Sequence, residues 1–321
     1  MKTAIILNRA LKNAGDYFIL ESSRKLLAEN GFQIKAELPG HKPISSMHYG
    51  TVNSSDYLVI AGGPCIQRDF HPRIYPLIQH TRQLQCKLLL LGVGLGANSD
   101  ALTKKSISVL ERAIVTTRDV DTATFLFKYG IDAMFTGCSS WFHASPVTSY
   151  KTTYDNVLIT TAPGHIAENI KLIDVTLRLF PNAKITCTFN RGLGRGDNPP
   201  TLDIVNFCER RGIEVVNLEG GATEMVKLCG QSDFHIGARV HSHIACVTQG
   251  VKSILTIFDK RGMGQSRALG TAPYDIYFLG KLNGSLPGAV NRALGSDYMH
   301  VAAQIERQRT FIQRYLRKLA K

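Results

Sequence analysis

A chain of 321 residues, 44% hydrophobic and 20% charged, has the composition of an ordinary globular protein and is too long for one core, so two domains are expected. No run of 18 apolar residues occurs, which leaves no transmembrane helix, and seven scattered cysteines without a C-x-x-C pair argue against a disulfide framework or a structural zinc site. A formal charge of +13 favours acidic partners, although no repeated alternation of aromatic and basic residues of the kind single-stranded nucleic acid would require runs through the chain.

The opening "TAIILN" reads as a first buried strand. Its apolar part is too short for a signal peptide and is followed by Arg9 and Lys12, so a cytosolic chain is expected. "GDYFILESSRKLLAENG" is a helix with Phe18, Leu20, Leu26 and Leu27 apolar and Gly31 as its stop. Asn13, Gly15 and Asp16 occupy the turn between them, where Asp16 either caps the helix or orients a hydroxyl. "DYLVIAGGP" is a buried strand ending in Gly62 and Gly63, and "KLLLLGVGLG" repeats the design with Gly92, Gly94 and Gly96. "GVGLGA" lacks both the spacing and the first-strand position of a dinucleotide fingerprint, so tight packing at a strand end is the expected role. "AIVTTRD" is a third strand, whose Arg118 and Asp119 form an ion pair or present a guanidinium to an anion. The helix "VDTATFLFKYG" follows, and the polar, turn-rich "TGCSSWFHASPVTSYKTTYDN" carries the interdomain linker near its end. The boundaries are therefore set at residues 1–150 and 151–321.

The alternation then restarts: strands "NVLITTAP", "AKITCTFN", "IEVVNLEG", "DFHIGA" and "VKSILTIF", with helices "HIAENIKLIDVTLRLFP", "TLDIVNFCERRG", "ATEMVKLCGQS" and "VHSHIACVTQG". Short apolar strands alternating with helices predict an α/β chain of two Rossmann-like, doubly wound parallel-sheet domains facing a cleft, with ligands beyond the carboxyl ends of the strands.

Several polar groups fall at those ends. Arg191 and Arg195 in "RGLGRGDNPP" belong to a surface loop or to an anion lid. In "GARVHSHIA", Arg239 ends a strand and His241 falls in the first turn of the next helix, where free N–H groups and the helix dipole favour an anion. The two suit an anion clamp with a general acid, whereas His243 points elsewhere on the helix and reads as structural. "FDKRGMG" adds Asp259, Lys260 and Arg261, with Gly262 and Gly264 giving room. The tail "IERQRTFIQRYLRKLAK" is an amphipathic helix with Ile305, Phe311, Ile312, Tyr315, Leu316 and Leu319 on or near one face. Its basic face is either solvated or in contact with lipid headgroups.

These pieces together resemble the polysaccharide pyruvyl transferase family. "NAGD" is similar to its N-x-G-D opening, "SDYLVIAGGP" to its strand ending in a glycine pair, "GVGLGA" and "TTRDVDTATFLFKYGID" to its G-x-G and R-D-x-x-S segments, and "DFHIGARVHSHIACVTQGVKSILTIFDKRGMG" to its R-x-H followed by a strand and a lysine. Thr122 stands where the family often has serine, "TGCSSWFH" where it commonly has an Asp-Pro segment, and "FDKR" where it has Y-D-x-K. The resemblance implies a GT-B-like fold and pyruvyl transfer from phosphoenolpyruvate to a sugar, giving a pyruvate ketal and phosphate, with no metal or redox cofactor. It further implies that Arg239 and His241 are catalytic, that Arg118 and Lys260 add positive charge around a donor bound largely by the second domain, and that the first domain reads the saccharide. Arg191 on its loop and Gly63 at its strand end are the further donor-site candidates, and Asn13 and Asp16 the acceptor-site ones. The competing expectation is a GT-B glycosyltransferase with a nucleotide-sugar donor, for which Asp275 or Asp297 would have to grip the ribose.

Overall fold

The computed structural model describes residues 1–8, 10–40, 46–70, 84–96, 99–161, 164–190, 199–271, 274–275 and 285–321. Arg191 and Arg195 lie outside the described residues. The chain forms two compact α/β units, each built on one six-stranded sheet in which every pair of neighbouring strands runs parallel.

The first sheet has the order β2-β1-β3-β4-β5-β6. Its strands are β1 (Lys2–Asn8), β2 (Phe32–Pro39), β3 (Tyr57–Ala61), β4 (Lys87–Val93), β5 (Ile114–Thr117) and β6 (Ala133–Phe135). The connecting helices are α1 (Ala14–Glu29), α2 (Ser46–Asn53), α3 (Lys104–Leu110) and α4 (Val120–Phe127). β1, β3 and β4 are the apolar runs recognised in the sequence, and their centres are completely buried, as a sheet covered on both faces demands. β2 escapes that reading because it is an edge strand whose polar residues are partly exposed. The strand order reverses between β1 and β3.

The second sheet has the order β12-β11-β10-β7-β8-β9. Its strands are β7 (Asn156–Thr160), β8 (Lys184–Phe189), β9 (Glu214–Asn217), β10 (Phe234–Gly237), β11 (Lys252–Ile257) and β12 (Tyr274–Asp275). α5 (Ile166–Leu179), α6 (Pro199–Arg210), α7 (Thr223–Gln231), α8 (Val240–Val247) and α9 (Lys260–Leu269) connect them, and α10 (Ser285–Gly295) and α11 (Met299–Leu319) close the chain. The chain winds outward from β7 through β8 and β9, then returns to the other side of β7 with β10. That reversal, between β7 and β10, is where an open α/β sheet leaves a crevice at the carboxyl ends of its strands.

The units are discontinuous in sequence, in contrast to a single cut after residue 150. The first comprises Met1–Ala10, Ile19–His143 and Ile305–Lys321; the second comprises Leu11–Phe18 and Ala144–Gln304. Packing explains each departure. Much of the expected linker is core of the first unit: Ser139–Phe142 form a 3-10 turn in which Trp141 is fully buried, and Ser139 Oγ is 2.8 Å from Ser23 Oγ. The end of α11 belongs to the first unit because Ile305, Ile312 and Leu316 are buried, Tyr57 Oη donates to Leu319 O (2.9 Å), and Arg317 Nε donates to Asn30 Oδ1 (3.2 Å). Phe311 does not share that face. It is 42% exposed and falls in the solvent stripe of Arg307, Arg314 and Lys318, about 100° per residue placing it opposite Ile312 and Leu316.

α9 is not among the helices read from the sequence, where Gly262 and Gly264 only give room. Both glycines are helical and buried, and Asp259 caps the helix by accepting from Arg261 N (3.0 Å) and Gly262 N (3.2 Å). A β-carbon at Gly262 would approach Ile257 to 3.3 Å, so the glycine brings α9 close onto β11.

The docked face of α11 generates a direct test. Leu316→Ala should cost ~2–5 kcal/mol of unfolding free energy, and Arg314→Ala less than ~0.5 kcal/mol, in chemical denaturation. Similar losses for both would mean that the helix is not packed as described.

Candidate active site

The first unit holds a tightly packed strand-end cluster of its own. Arg118, next after β5, is only 2% exposed; its Nε lies 3.5 Å from Asp119 Oδ2. Its guanidinium covers Gly94 so closely that a β-carbon there would lie 2.6 Å from Arg118 Cζ. Asp119 caps α4 by accepting from Thr122 N (2.7 Å) and Thr122 Oγ1 (2.6 Å), and Thr122 Oγ1 in turn accepts from Leu95 N (3.0 Å). Thr122 thus does here what a serine hydroxyl would do. The "GVGLG" run is close packing, as its spacing suggested. Gly63, half-buried at the end of β3 with φ +84°, has no atom within 4 Å of the place a β-carbon would take, and its carbonyl accepts from Gly94 N (2.9 Å).

The second unit holds the convergence. Arg239, half-buried, is the N-cap of α8, and His241 is the second residue of that helix. Arg239 O accepts from His243 N (2.9 Å), while the first-turn N–H groups of α8 have no acceptor within the helix and carry its positive dipole end. Both residues follow β10 at the strand-order reversal. Gly237 pairs there with Thr160 of β7 so closely that a β-carbon on it would lie 2.6 Å from Thr160 N. Ala238 N donates to Thr160 O (2.8 Å), and Arg239 N to Thr160 Oγ1 (3.2 Å).

The segment Leu11–Phe18 completes this edge, although it comes from the start of the chain. Asn13 bridges Glu219 in antiparallel fashion, Gly220 N donates to Lys12 O (3.1 Å), and Ala14 N donates to Asn190 O (2.9 Å) at the end of β8. Asn13, not Asp16, caps α1: its Oδ1 accepts from Gly15 N (3.0 Å). The His241 ring stands directly on Gly15, where a β-carbon would lie 2.8 Å from the ring Cγ. Gly15 is therefore the residue that makes room for His241, and Asp16, half-buried, follows it in the first turn of α1. Asn190 is 1% exposed and donates its amide to Ser242 Oγ (2.9 Å), tying β8 to α8. Asn13 and Asp16 thus share a unit with Arg239 and His241 rather than belonging to the first unit.

Lys260 is exposed at the first position of α9, just past the end of β11. Next to it Arg261 is held by Asp259 and lies over the Phe258 ring (5.9 Å), which contacts the His165 ring at 5.5 Å.

A second group of polar residues lies beneath these. His235 of β10 is fully buried, with Nε2 2.9 Å from Thr160 Oγ1 and Nδ1 2.6 Å from Ser253 Oγ. His243 of α8 is also fully buried, with Nδ1 2.6 Å from the same Ser253 Oγ and Nε2 3.2 Å from Thr271 Oγ1. Burial disfavours the imidazolium and lowers His243 to about 3; burial and then His243 hold His235 well below its ordinary value. His243 is structural, as its place on the helix suggested. His235 went unremarked in the sequence, where one histidine in the apolar "DFHIGA" was the available signal.

The family assignment rests on the whole arrangement. The sequence model for polysaccharide pyruvyl transferase matches residues 13–257, from the Asn13 cap to the end of β11. The chain belongs to the polysaccharide pyruvyl transferase family. The family is one of transferases. No curated protein matches the chain significantly. Solved structures similar to it are remote in sequence. UDP-GlcNAc 2-epimerase from Methanocaldococcus jannaschii has a TM-score of 0.58 at 11% identity, covering 92% of this chain and 93% of that one. The MnaA–UDP structure from S. aureus gives 0.59 at 12%, with 98% and 97% covered, and Anabaena HepE with UDP and glucose gives 0.59 at 11%, with 98% and 99% covered. At such identities the likeness establishes the fold, which is GT-B-like.

The two buried histidines make stability depend on acid. An unfolded histidine titrates near 6.5, so the neutral rings contribute fully above that pH and progressively less as pH falls toward 3. At pH 5 the loss through His243 should be about 2 kcal/mol, and His235, also held below its ordinary value, adds a loss of the same sign. Urea denaturation at pH 7 and pH 5 measures it, and equal stabilities would show that the rings are not held neutral.

Proposed function

We propose that this family member takes its pyruvyl group from phosphoenolpyruvate and places it on two hydroxyls of a saccharide in a polysaccharide, glycan or glycolipid precursor. The observation that carries the reading is Arg239 and His241 at the N-terminus of α8, at the strand-order reversal of the second sheet, with His241 braced on Gly15. Phosphoenolpyruvate brings a carboxylate and a phosphate, which call for a guanidinium and helix N–H groups, and an enol carbon that calls for an acid.

In this reaction His241 gives a proton to C3, and C2 gains oxocarbenium character. A saccharide hydroxyl attacks C2 and loses its proton. The C2–O bond to phosphorus then breaks, its electron pair leaving with phosphate, and the second hydroxyl closes the ketal and loses its proton. Arg239 and Lys260 hold the donor's anionic groups. Asp16 is assigned to an acceptor hydroxyl, while Asn13 caps the turn that carries it. Arg118 is assigned to holding the strand ends of the first unit through Asp119 and Gly94, rather than to touching the donor, because it is buried and paired. The reaction calls on no metal or redox cofactor.

Phosphate release from phosphoenolpyruvate with galactosides, mannosides and amino sugars tests the reading. His241→Ala should lower kcat by about 10²–10⁴-fold, the usual contribution of a general acid, and Arg239→Ala should raise KM for phosphoenolpyruvate. Gly15→Ala, which forces the His241 ring to move, should lower kcat while leaving the fold intact. Full turnover in both His241→Ala and Arg239→Ala would sink the site, and tight uridine diphosphate binding without any use of phosphoenolpyruvate would favour the nucleotide-sugar reading.

The same reading includes contact with a membrane that carries the acceptor. No helix among the described residues is long and apolar enough to cross a membrane. From Ile305 to Lys321, however, six basic residues stand against one acidic, and Arg307, Arg314 and Lys318 share an exposed stripe with Phe311. Basic residues at an anionic surface contribute about 1 kcal/mol each, and an aromatic ring among them can enter the headgroup layer. Sedimentation with phosphatidylglycerol-containing vesicles should therefore be strong at low salt and lost in an Arg307→Glu, Arg314→Glu, Lys318→Glu variant. Equal binding to neutral vesicles would remove this part of the proposal.

A further inference from the structure

The buried chain Thr160–His235–Ser253–His243–Thr271 belongs to none of the steps above, yet it occupies the centre of the second sheet beneath α8. Register explains how it forms. His235 lies beside Ser253 in the β10–β11 pair, and Gly237, two residues further along the same face of β10, lies beside Thr160 in the β10–β7 pair. His243 reaches Ser253 from α8. Five side chains from three adjacent strands, one helix and the segment after α9 are thereby joined without water.

Their protons can be placed. Both imidazoles put Nδ1 at 2.6 Å from one hydroxyl, Ser253 Oγ, which has a single proton to give. Both rings are neutral. One ring then receives that proton on a bare Nδ1, and the other carries Nδ1–H and donates. Ser253 Oγ could accept from both rings, but its own proton would then have no acceptor in the chain, so the arrangement that satisfies every donor makes the two histidines opposite tautomers. The far ends decide which is which. Thr160 Oγ1 accepts from Arg239 N, and the acceptor the chain offers its own proton is His235 Nε2. His235 then donates Nδ1–H to Ser253, Ser253 donates to His243 Nδ1, and His243 donates Nε2–H to Thr271 Oγ1, whose proton goes to Ser266 O (3.5 Å). In this direction every donor in the chain has an acceptor. In the reverse direction Thr160 Oγ1 would accept twice, and its proton would find no acceptor within the chain.

We infer that His235, Ser253 and His243 are positioning residues for Arg239: a directional hydrogen-bond chain fixes the Thr160 hydroxyl so that it accepts the Arg239 N–H and sets where α8 begins. None of the three touches substrate in the proposed reaction. They act through Thr160 on the peptide from which the Arg239 and His241 side chains depart. Arg239 grips the donor in ground and transition state alike, so loosening its peptide weakens donor binding more than it slows chemistry. The kinetic part of this inference rests on the pyruvyl-transfer reading; the structural part does not.

The experiment uses the whole chain and three readouts. With nitrogen-15 in the histidine rings, the expected wild-type pattern is Nδ1–H on His235 and Nε2–H on His243. In Ser253→Ala, the His235 pattern should change and the Arg239 amide should exchange about tenfold faster, although the substitution is two links away from that amide. KM for phosphoenolpyruvate should then rise about tenfold with kcat within about threefold. Thr160→Val removes the hydroxyl at constant shape and should reproduce the exchange and KM changes, and Thr160→Ser should restore both; this pair carries the test if Ser253→Ala fails to fold. The same tautomer on both rings, or an Arg239 amide unaffected by Ser253→Ala and Thr160→Val, would overturn the inference. If the amide responds as expected but the wild-type chain never releases phosphate from phosphoenolpyruvate, the positioning chain stands and the assigned reaction falls.

Discussion

The register of β10 between β7 and β11 is the constraint from which the rest of the site follows. Placing Gly237 beside Thr160 brings the carbonyl and hydroxyl of Thr160 to the two peptides that lead into α8. Placing His235 beside Ser253 lines up the polar groups beneath them. A slip of one residue would turn His235 to the opposite face of the sheet and leave Thr160 without either partner, because side chains alternate along a strand. The cost of burying two imidazoles is offset only while each ring nitrogen has a partner, so this polar core selects one register and not merely a stable one.

Above that layer the polar side chains differ in burial and support. His241 has a fixed wall in Gly15, and Arg239 has a fixed backbone, whereas Lys260 is exposed at the start of its own helix. A pre-set imidazole and an exposed ammonium suit different duties. Proton transfer depends on a narrow geometry, while a point charge stabilises an anion over a wide range of approach. Arg261, which from its neighbour's position alone could pass for an equivalent cation, is occupied by Asp259 and the Phe258 ring.

Much of this architecture was legible in the sequence because a buried parallel sheet writes itself as short apolar runs, in β3, β4 and β10 ending at glycine. β1, β3, β4, β7, β10 and β11 are all such runs, and the turn from β10 into α8 could be located to the residue. What stayed hidden depends on relations that one strand does not contain. His235, Ser253 and Thr160 are unremarkable singly and become a chain only through pairing across three strands. The allegiance of Asn13 and Gly15 to the second unit depends on contacts with Glu219, Asn190 and His241, about 180 to 230 residues away along the chain. α9 was masked by its two glycines, which look like loop residues and are in fact a packing surface. Phe311 is a different case. Its angular distance from Ile312 and Leu316 was already present in the sequence, and hydrophobicity alone had assigned it to the wrong face.

The discontinuity of the two units has a consequence for how such a chain can be divided or recombined. A fragment beginning at Ala144 would possess β7 to β12 and both Arg239 and His241, yet it would lack the Leu11–Phe18 turn on which His241 rests. A fragment ending at His143 would lack the final helix that covers its own unit. Each half of the gene thus encodes a short piece of the other half's fold. Halves exchanged between relatives would therefore carry mismatched pieces.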